Sequence, residues 1–111
     1  MIAGDHVLDC VVIGGGPAGL TAGLYLRRFL RNVRIVDAAG GRARRISRSH
    51  NVAGFPDGIA GTQLLERMAR QLQQVDGEIV HGEVRDLRRT GGGLFEVGLA
   101  GQTLQARTVM L

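Results

Sequence analysis

Leu8-Asp-Cys-Val-Val-Ile13 runs directly into Gly14-Gly-Gly-Pro-Ala-Gly19, and this junction decides the fold. The first six residues are a short apolar run, rich in β-branched side chains and ending at glycines. A strand buried on both faces of a parallel sheet has that composition. Pro17 suits the first turn of a helix, where its missing N–H costs nothing. From Ala18 to Leu30 the residues favour helix, and Asn32 is expected to stop it by taking the left-handed conformation. Val33 to Val36 then reads as a second buried strand, closed by Asp37. Strand, glycine turn, helix, strand and terminal acid form a βαβ unit. The spacing of 18 residues from Gly19 to Asp37 is close to the roughly 20 expected of a dinucleotide fingerprint.

Each residue of the turn has a physical task in that reading. Gly14 permits the tight exit from the strand. Gly16 lets the backbone approach a pyrophosphate with no β-carbon in the way. Gly19 lets the helix pack closely on the sheet. The N–H groups at the helix start, with the helix dipole behind them, favour the diphosphate charge. The Asp37 carboxylate accepts from ribose hydroxyls and repels a 2′-phosphate. The fingerprint fits the ADP half of FAD or of NAD equally well.

Downstream, residues 38–60 are loop-like, with Gly40–Gly41, the arginines 42, 44, 45 and 48, Ser49-His-Asn51 and Gly54-Phe-Pro-Asp-Gly58. A loop of that length inside a compact domain is usually functional. A second helix is expected from Thr62, with Leu64, Leu65, Met68, Ala69 and Leu72 on one face and Gly77 as the stop. Glu78–His81 reads as a third short strand. The period then changes to two. Phe95–Leu99 and Leu104–Arg107 alternate apolar and polar between glycine-rich turns, as in an antiparallel meander. Val109, Met110 and Leu111 begin what reads as another apolar run. The expected fold class is therefore α/β: a Rossmann-like half-domain with a parallel sheet, crossover helices and an antiparallel β-meander.

Composition narrows the function. With 111 residues the chain holds one small domain. Its basic residues are all arginine, giving a formal net charge of +4, and aromatics are only 4%. Aromatic platforms for stacked bases are therefore lacking, and no nucleic-acid partner is expected. No apolar stretch approaches the roughly 20 residues that cross a bilayer, so no membrane partner is expected either. The single cysteine, Cys10, lies in an apolar strand and reads as a buried structural thiol. With no disulfide possible within the chain, a cytoplasmic location is expected. His6 and His81 lack metal-ligand spacing, His50 reads as a loop histidine, and Glu66, Glu78 and Glu83 read as solvated charges. No catalytic or metal-binding residue is assigned.

The ordered pieces Val12–Leu20, Gly40-Gly-Arg42, Ser49-His-Asn51, Gly54-Phe-Pro-Asp-Gly-Ile59, Gly61 and Leu64-Leu65 resemble the N-terminal segment of the low-molecular-weight thioredoxin reductase-like flavoproteins. The resemblance runs from about Asp9 to Leu111. It implies a homodimeric FAD-dependent oxidoreductase that passes hydride from NAD(P)H, its co-substrate, to FAD and on to a disulfide or another redox acceptor. It implies that Gly14, Gly16, Pro17, Ala18 and Gly19 hold the pyrophosphate and Asp37 the adenosine ribose. Gly41 and Arg42 would run beside the ribityl and diphosphate, Asn51 would hydrogen-bond near the isoalloxazine, and the backbone of Val84 would meet the adenine.

The chain departs from the family pattern in places. Arg42 stands where glutamine is usual, Gly23 where alanine is usual, and Asn32 where glycine is common. No cysteine lies between Gly40 and Asn51, which disfavours the larger disulfide reductases and leaves the electron acceptor open. By the same resemblance, residues 1–111 are expected to form the N-terminal part of a discontinuous FAD-binding domain. The NAD(P)H domain and the closing FAD segment lie outside the chain, which alone is expected to be inactive. Two other readings stay open: an NAD-binding domain of a dehydrogenase, and a truncated, non-catalytic nucleotide-binding module.

Overall fold

The structure is a computed structural model, which describes residues 7–38 and 42–111. Its strands are β1 (Val7–Ile13), β2 (Val33–Asp37), β3 (Glu78–His81), β4 (Asp86–Arg89), β5 (Phe95–Leu99) and β6 (Gln102–Met110). Its helices are α1 (Pro17–Arg28) and α2 (Gly61–Gln73), with a 3-10 turn over Arg42–Arg45. One six-stranded sheet runs β3-β2-β1-β6-β5-β4. The pairs β1–β2, β2–β3 and β1–β6 are parallel, and β4–β5 and β5–β6 are antiparallel.

The element that unites the two halves is β6. Gln102–Ala106 pairs with β5, and Gln105–Met110 pairs with β1. The apolar run at Val109-Met110 is therefore the end of a strand that starts in the meander, and not a new strand. Sequence alone separates these segments because Arg107-Thr108 breaks the alternation. Both residues are exposed, yet the Thr108 hydroxyl donates to the Asp9 carbonyl at 2.6 Å and ties β6 to β1.

Two apolar clusters hold the sheet. In the first, Cys10, Val12, Val33 and Ile35 pack with Leu20 of α1 and with Leu65 and Leu72 of α2. Cys10 is thus a core side chain. The second joins Leu8, Val11 and Val36 to Val97, Leu104 and Ala106 of the meander. Val11, Val97 and Ala106 are wholly enclosed. The long shared strand lets apolar meander side chains cover sheet residues that neither helix reaches.

Both helix ends differ from expectation. At the end of α1 the left-handed residue is Leu30 (φ 61°), and Asn32 is not left-handed. Leu30 N–H donates to Arg27 O and Arg31 N–H to Leu26 O, the paired bonds of a Schellman cap. Asn32 instead leads into β2 and ties it to β1: its N–H donates to Asp9 Oδ2 at 2.7 Å, and its carbonyl accepts from Asp9 N–H. At the end of α2 the left-handed residue is Asp76 (φ 60°), one before Gly77. Gly77 is small for another reason, because a β-carbon there would collide with the Leu72 side chain.

The loop between β2 and α2 has structure of its own. Ser49 and Ile59 exchange two backbone hydrogen bonds across an antiparallel bridge. Gly61 N–H donates to Ile46 O, and a β-carbon on Gly61 would strike the Ala43 carbonyl oxygen. The 3-10 turn is therefore packed hard against the start of α2. Glu78 is exposed, as expected, and its carboxylate also meets Arg34 Nε at 3.0 Å, between directly paired residues of β2 and β3.

Candidate functional site

The glycine turn leaves β1 at the point where the sheet order reverses. One side of β1 is flanked by β2, reached through α1, and the other by β6, which arrives from the far end of the chain. In open α/β sheets ligands sit at such a switch point, outside the carboxyl ends of the strands. A depression of about 220 Å³ lies there. It is lined by Val12, Ile13, Gly14, Gly16, Pro17, Ala18 and Gly19, and by Met110 and Leu111 from the end of β6.

Local chemistry builds the turn. Gly14 has φ +116°, a conformation closed to L side chains, and its N–H donates to Val36 O at 2.8 Å. Gly19 faces the Gly14 carbonyl so closely that a β-carbon would overlap the oxygen. By contrast, a β-carbon on Gly16 would meet nothing within 4 Å. None of the described residues fills the space before it. Gly16 caps α1 without any side-chain hydrogen bond, Pro17 has no N–H, and the first turn carries no acidic residue. Gly16 thus offers the first N–H groups of α1 no side-chain acceptor, and no acidic residue of that turn repels an anion.

The remaining candidates divide into those beside this turn and those elsewhere. Asp37 is beside it. An ideal β-carbon on Gly15 would lie 2.5 Å from Asp37 Cγ, so the carboxylate-bearing side chain lies against the middle glycine. Val84 follows β3, whose exit is fastened to the end of β2 by Gly82 N–H donating to Asp37 O at 3.0 Å. Its side chain packs on the second apolar cluster. Asn51 is exposed in the loop closed by the Ser49–Ile59 bridge, and Ser49 Oγ donates to its Oδ1 at 2.8 Å. Arg42 opens the 3-10 turn, and Gly41 lies outside the described residues. Sequence reasoning passed over Gly15, Met110 and Leu111. A third consecutive glycine was the available signal for the first. For the other two there was none, because their place depends on β6 pairing with β1. Among the described residues no His, Cys, Asp or Glu cluster could hold a metal ion, and no helix is long and apolar enough to cross a membrane.

Known proteins with this arrangement are consistent in kind. The chain is 32% identical over 111 residues to the bifunctional thioredoxin reductase/thioredoxin of Mycobacterium leprae, covering 98% of this chain and 24% of that one. It is 31% identical to the thioredoxin reductase of Streptomyces clavuligerus, covering 96% of this chain and 34% of that one. The chain is thioredoxin reductase-like. The crystal structure of thioredoxin reductase from Streptococcus pyogenes superposes with a TM-score of 0.84 at 30% identity, over 93% of this chain and 34% of that one. The fold is thus the Rossmann-like FAD-binding fold of the thioredoxin reductases. This thioredoxin reductase-like chain spans a quarter to a third of the length of the relatives it matches, and the matching part is their N-terminal portion. No family model matches it.

Proposed function

We propose that this chain binds FAD through the cofactor's ADP half, as the N-terminal part of a discontinuous FAD-binding domain in an NAD(P)H oxidoreductase. The observation that carries the reading is the placement of an empty-fronted glycine turn, uncapped helix start and strand-end carboxylate together at the sheet's switch point.

The residues present fit that group. The open space at Gly16 admits a pyrophosphate at backbone distance, and the N–H groups of Ala18 and Gly19 face an anion with Pro17 fixing the helix start. Asp37 would accept from the adenosine ribose hydroxyls, and its negative charge disfavours a 2′-phosphate at this position. Val84 would meet the adenine through its backbone. Gly41 and Arg42 would border the ribityl–diphosphate segment, and Asn51 would donate near the isoalloxazine. Met110 and Leu111 give the depression an apolar side wall. Bound FAD would supply the two-electron chemistry, taking hydride from NAD(P)H and passing electrons to a disulfide or another redox acceptor. Nicotinamide binding and a homodimer interface are assigned to the parent protein and not to these residues.

The test is an FAD titration of the 111-residue chain, read by flavin fluorescence quenching and the visible spectrum, with NAD as competitor. Saturable FAD binding that NAD displaces poorly is expected. Tight NAD binding without FAD binding would replace this reading with a dehydrogenase domain. Binding of neither would leave a nucleotide fold that holds no cofactor by itself.

A further inference from the structure

The β2–β3 register brings one more polar side chain to the strand ends where Asp37 lies. Ile35 is paired with Ile79, and both pack in the first apolar cluster, which α1 and α2 cover. Val36 is paired with Val80, and both pack in the second cluster, which contains no helix residue. Side chains alternate along a strand, so the next pair, Asp37 and His81, returns to the helix-covered face. Neighbouring strands lie about 4.8 Å apart, and the two side chains therefore stand side by side. Gly82 N–H donates to the Asp37 carbonyl at 3.0 Å and holds the two strand ends together. The carboxyl ends of β1, β2 and β3 thus present, in spatial order, the glycine turn, Asp37 and His81. The His81 side chain is exposed, and Val84 follows it by three residues.

We infer that His81 is a specificity-determining residue of the cofactor site, donating a ring N–H to the 2′-hydroxyl of the adenosine ribose. This rests on the cofactor reading above and deepens it. With the diphosphate at the end of β1 and the adenine against the backbone of Val84 beyond β3, the ribose lies over the end of β2. Its 2′-hydroxyl is on the carbon next to the one that bears the base, and so faces the β3 side. That hydroxyl can donate one hydrogen bond and accept others. The Asp37 carboxylate can only accept, so it takes the bond that the hydroxyl donates. The hydroxyl oxygen then needs a donor, and the imidazole beside Asp37 supplies one. A ribose without the 2′-hydroxyl satisfies neither side chain, so the pair reads ribose against deoxyribose.

Two measurements on the whole chain test this. The first compares ADP with 2′-deoxy-ADP by calorimetric titration of the wild type and of His81→Phe, which keeps a ring but has no hydrogen-bonding atom. The wild type should prefer ADP. In His81→Phe that preference should fall about fivefold, the worth of one net hydrogen bond, with affinity for 2′-deoxy-ADP unchanged. A preference equal to that of the wild type would overturn the inference. So would an equal loss of affinity for both ligands, since His81 would then serve packing alone. Failure of the wild type to bind either ligand would overturn the cofactor reading and this inference with it, whereas the two preceding outcomes leave the cofactor reading standing. The second measurement needs no ligand. Asp37→Asn should shift the imidazole nuclear magnetic resonance signals of His81. Signals that stay in place would show that the two side chains are not neighbours, and would overturn the inference whatever the ligands do.

Discussion

The Ile35 side chain on β2 occupies the space that a β-carbon on Gly23 of α1 would need: an ideal Cβ there would lie 2.5 Å from Ile35 Cδ1. Helix α1 crosses the sheet close enough that only glycine fits over isoleucine. Alanine at 23 would gain about 1 kcal/mol of helix propensity. Overpacking a core position costs about 1–3 kcal/mol, and Ile35 is only 1% exposed. The collision should win. Gly23→Ala is expected to destabilise by about 1 kcal/mol in urea unfolding. In an Ile35→Val background, which lacks the obstructing methyl, it should be neutral or stabilising. Additive behaviour in that cycle would show that the contact is not the cause.

Leu30 holds the left-handed position of the α1 cap with an exposed side chain. A left-handed L residue costs about 1–2 kcal/mol, and an exposed leucine returns little packing. Glycine would relieve the strain but lose more entropy on folding. Leu30→Gly should therefore raise stability by about 0.5–1 kcal/mol, seen as a Tm increase of about 4 °C in a domain of this size. An unchanged or lower Tm would mean that Leu30 makes a compensating contact.

Gly16 and Gly19 should separate binding from folding. A β-carbon at 16 meets no atom of the described residues within 4 Å, whereas one at 19 overlaps a main-chain carbonyl. Gly16→Val should keep the wild-type far-ultraviolet spectrum within an N-cap cost of about 1 kcal/mol, yet lose FAD binding. Gly19→Ala should lose several kcal/mol of stability, about the upper range for overpacking. Equal stability losses in the two variants would remove the distinction.

The Arg34–Glu78 pair links neighbouring strands at the sheet edge, with the glutamate side chain 63% exposed. Exposed pairs contribute about 0.2–1 kcal/mol. Glu78→Gln should cost no more than about 0.5 kcal/mol at low salt, and the difference should vanish near 1 M salt, where the screening length falls to about 3 Å. A larger loss that persists in salt would indicate a packing role for the glutamate.

The βαβ order, the glycine turn and the strand-end acid were legible because each depends on local chemistry. Buried strands announce themselves by β-branched runs, and a positive φ at Gly14 or a proline at 17 follows from one residue's own constraints. The amphipathic face of α2 was legible for the same reason, through Leu65 and Leu72. Helix ends were less so. The sequence offers Asn32 and Gly77 as the natural left-handed residues, yet the helices end where packing directs, and Leu30 and Asp76 accept the strain.

By itself the sequence determined a dinucleotide-type unit followed by a meander, because periodicity and turn residues act within a few positions of the chain. Only the tertiary structure decided that Gln102–Met110 is one strand serving both halves, that Met110 and Leu111 wall the depression at the glycine turn, and that the Asp37 side chain lies against Gly15. Each of these depends on residues far apart in sequence meeting across β1. Excluded volume between such residues has no signature in local pattern; it exists only once the sheet has brought them together.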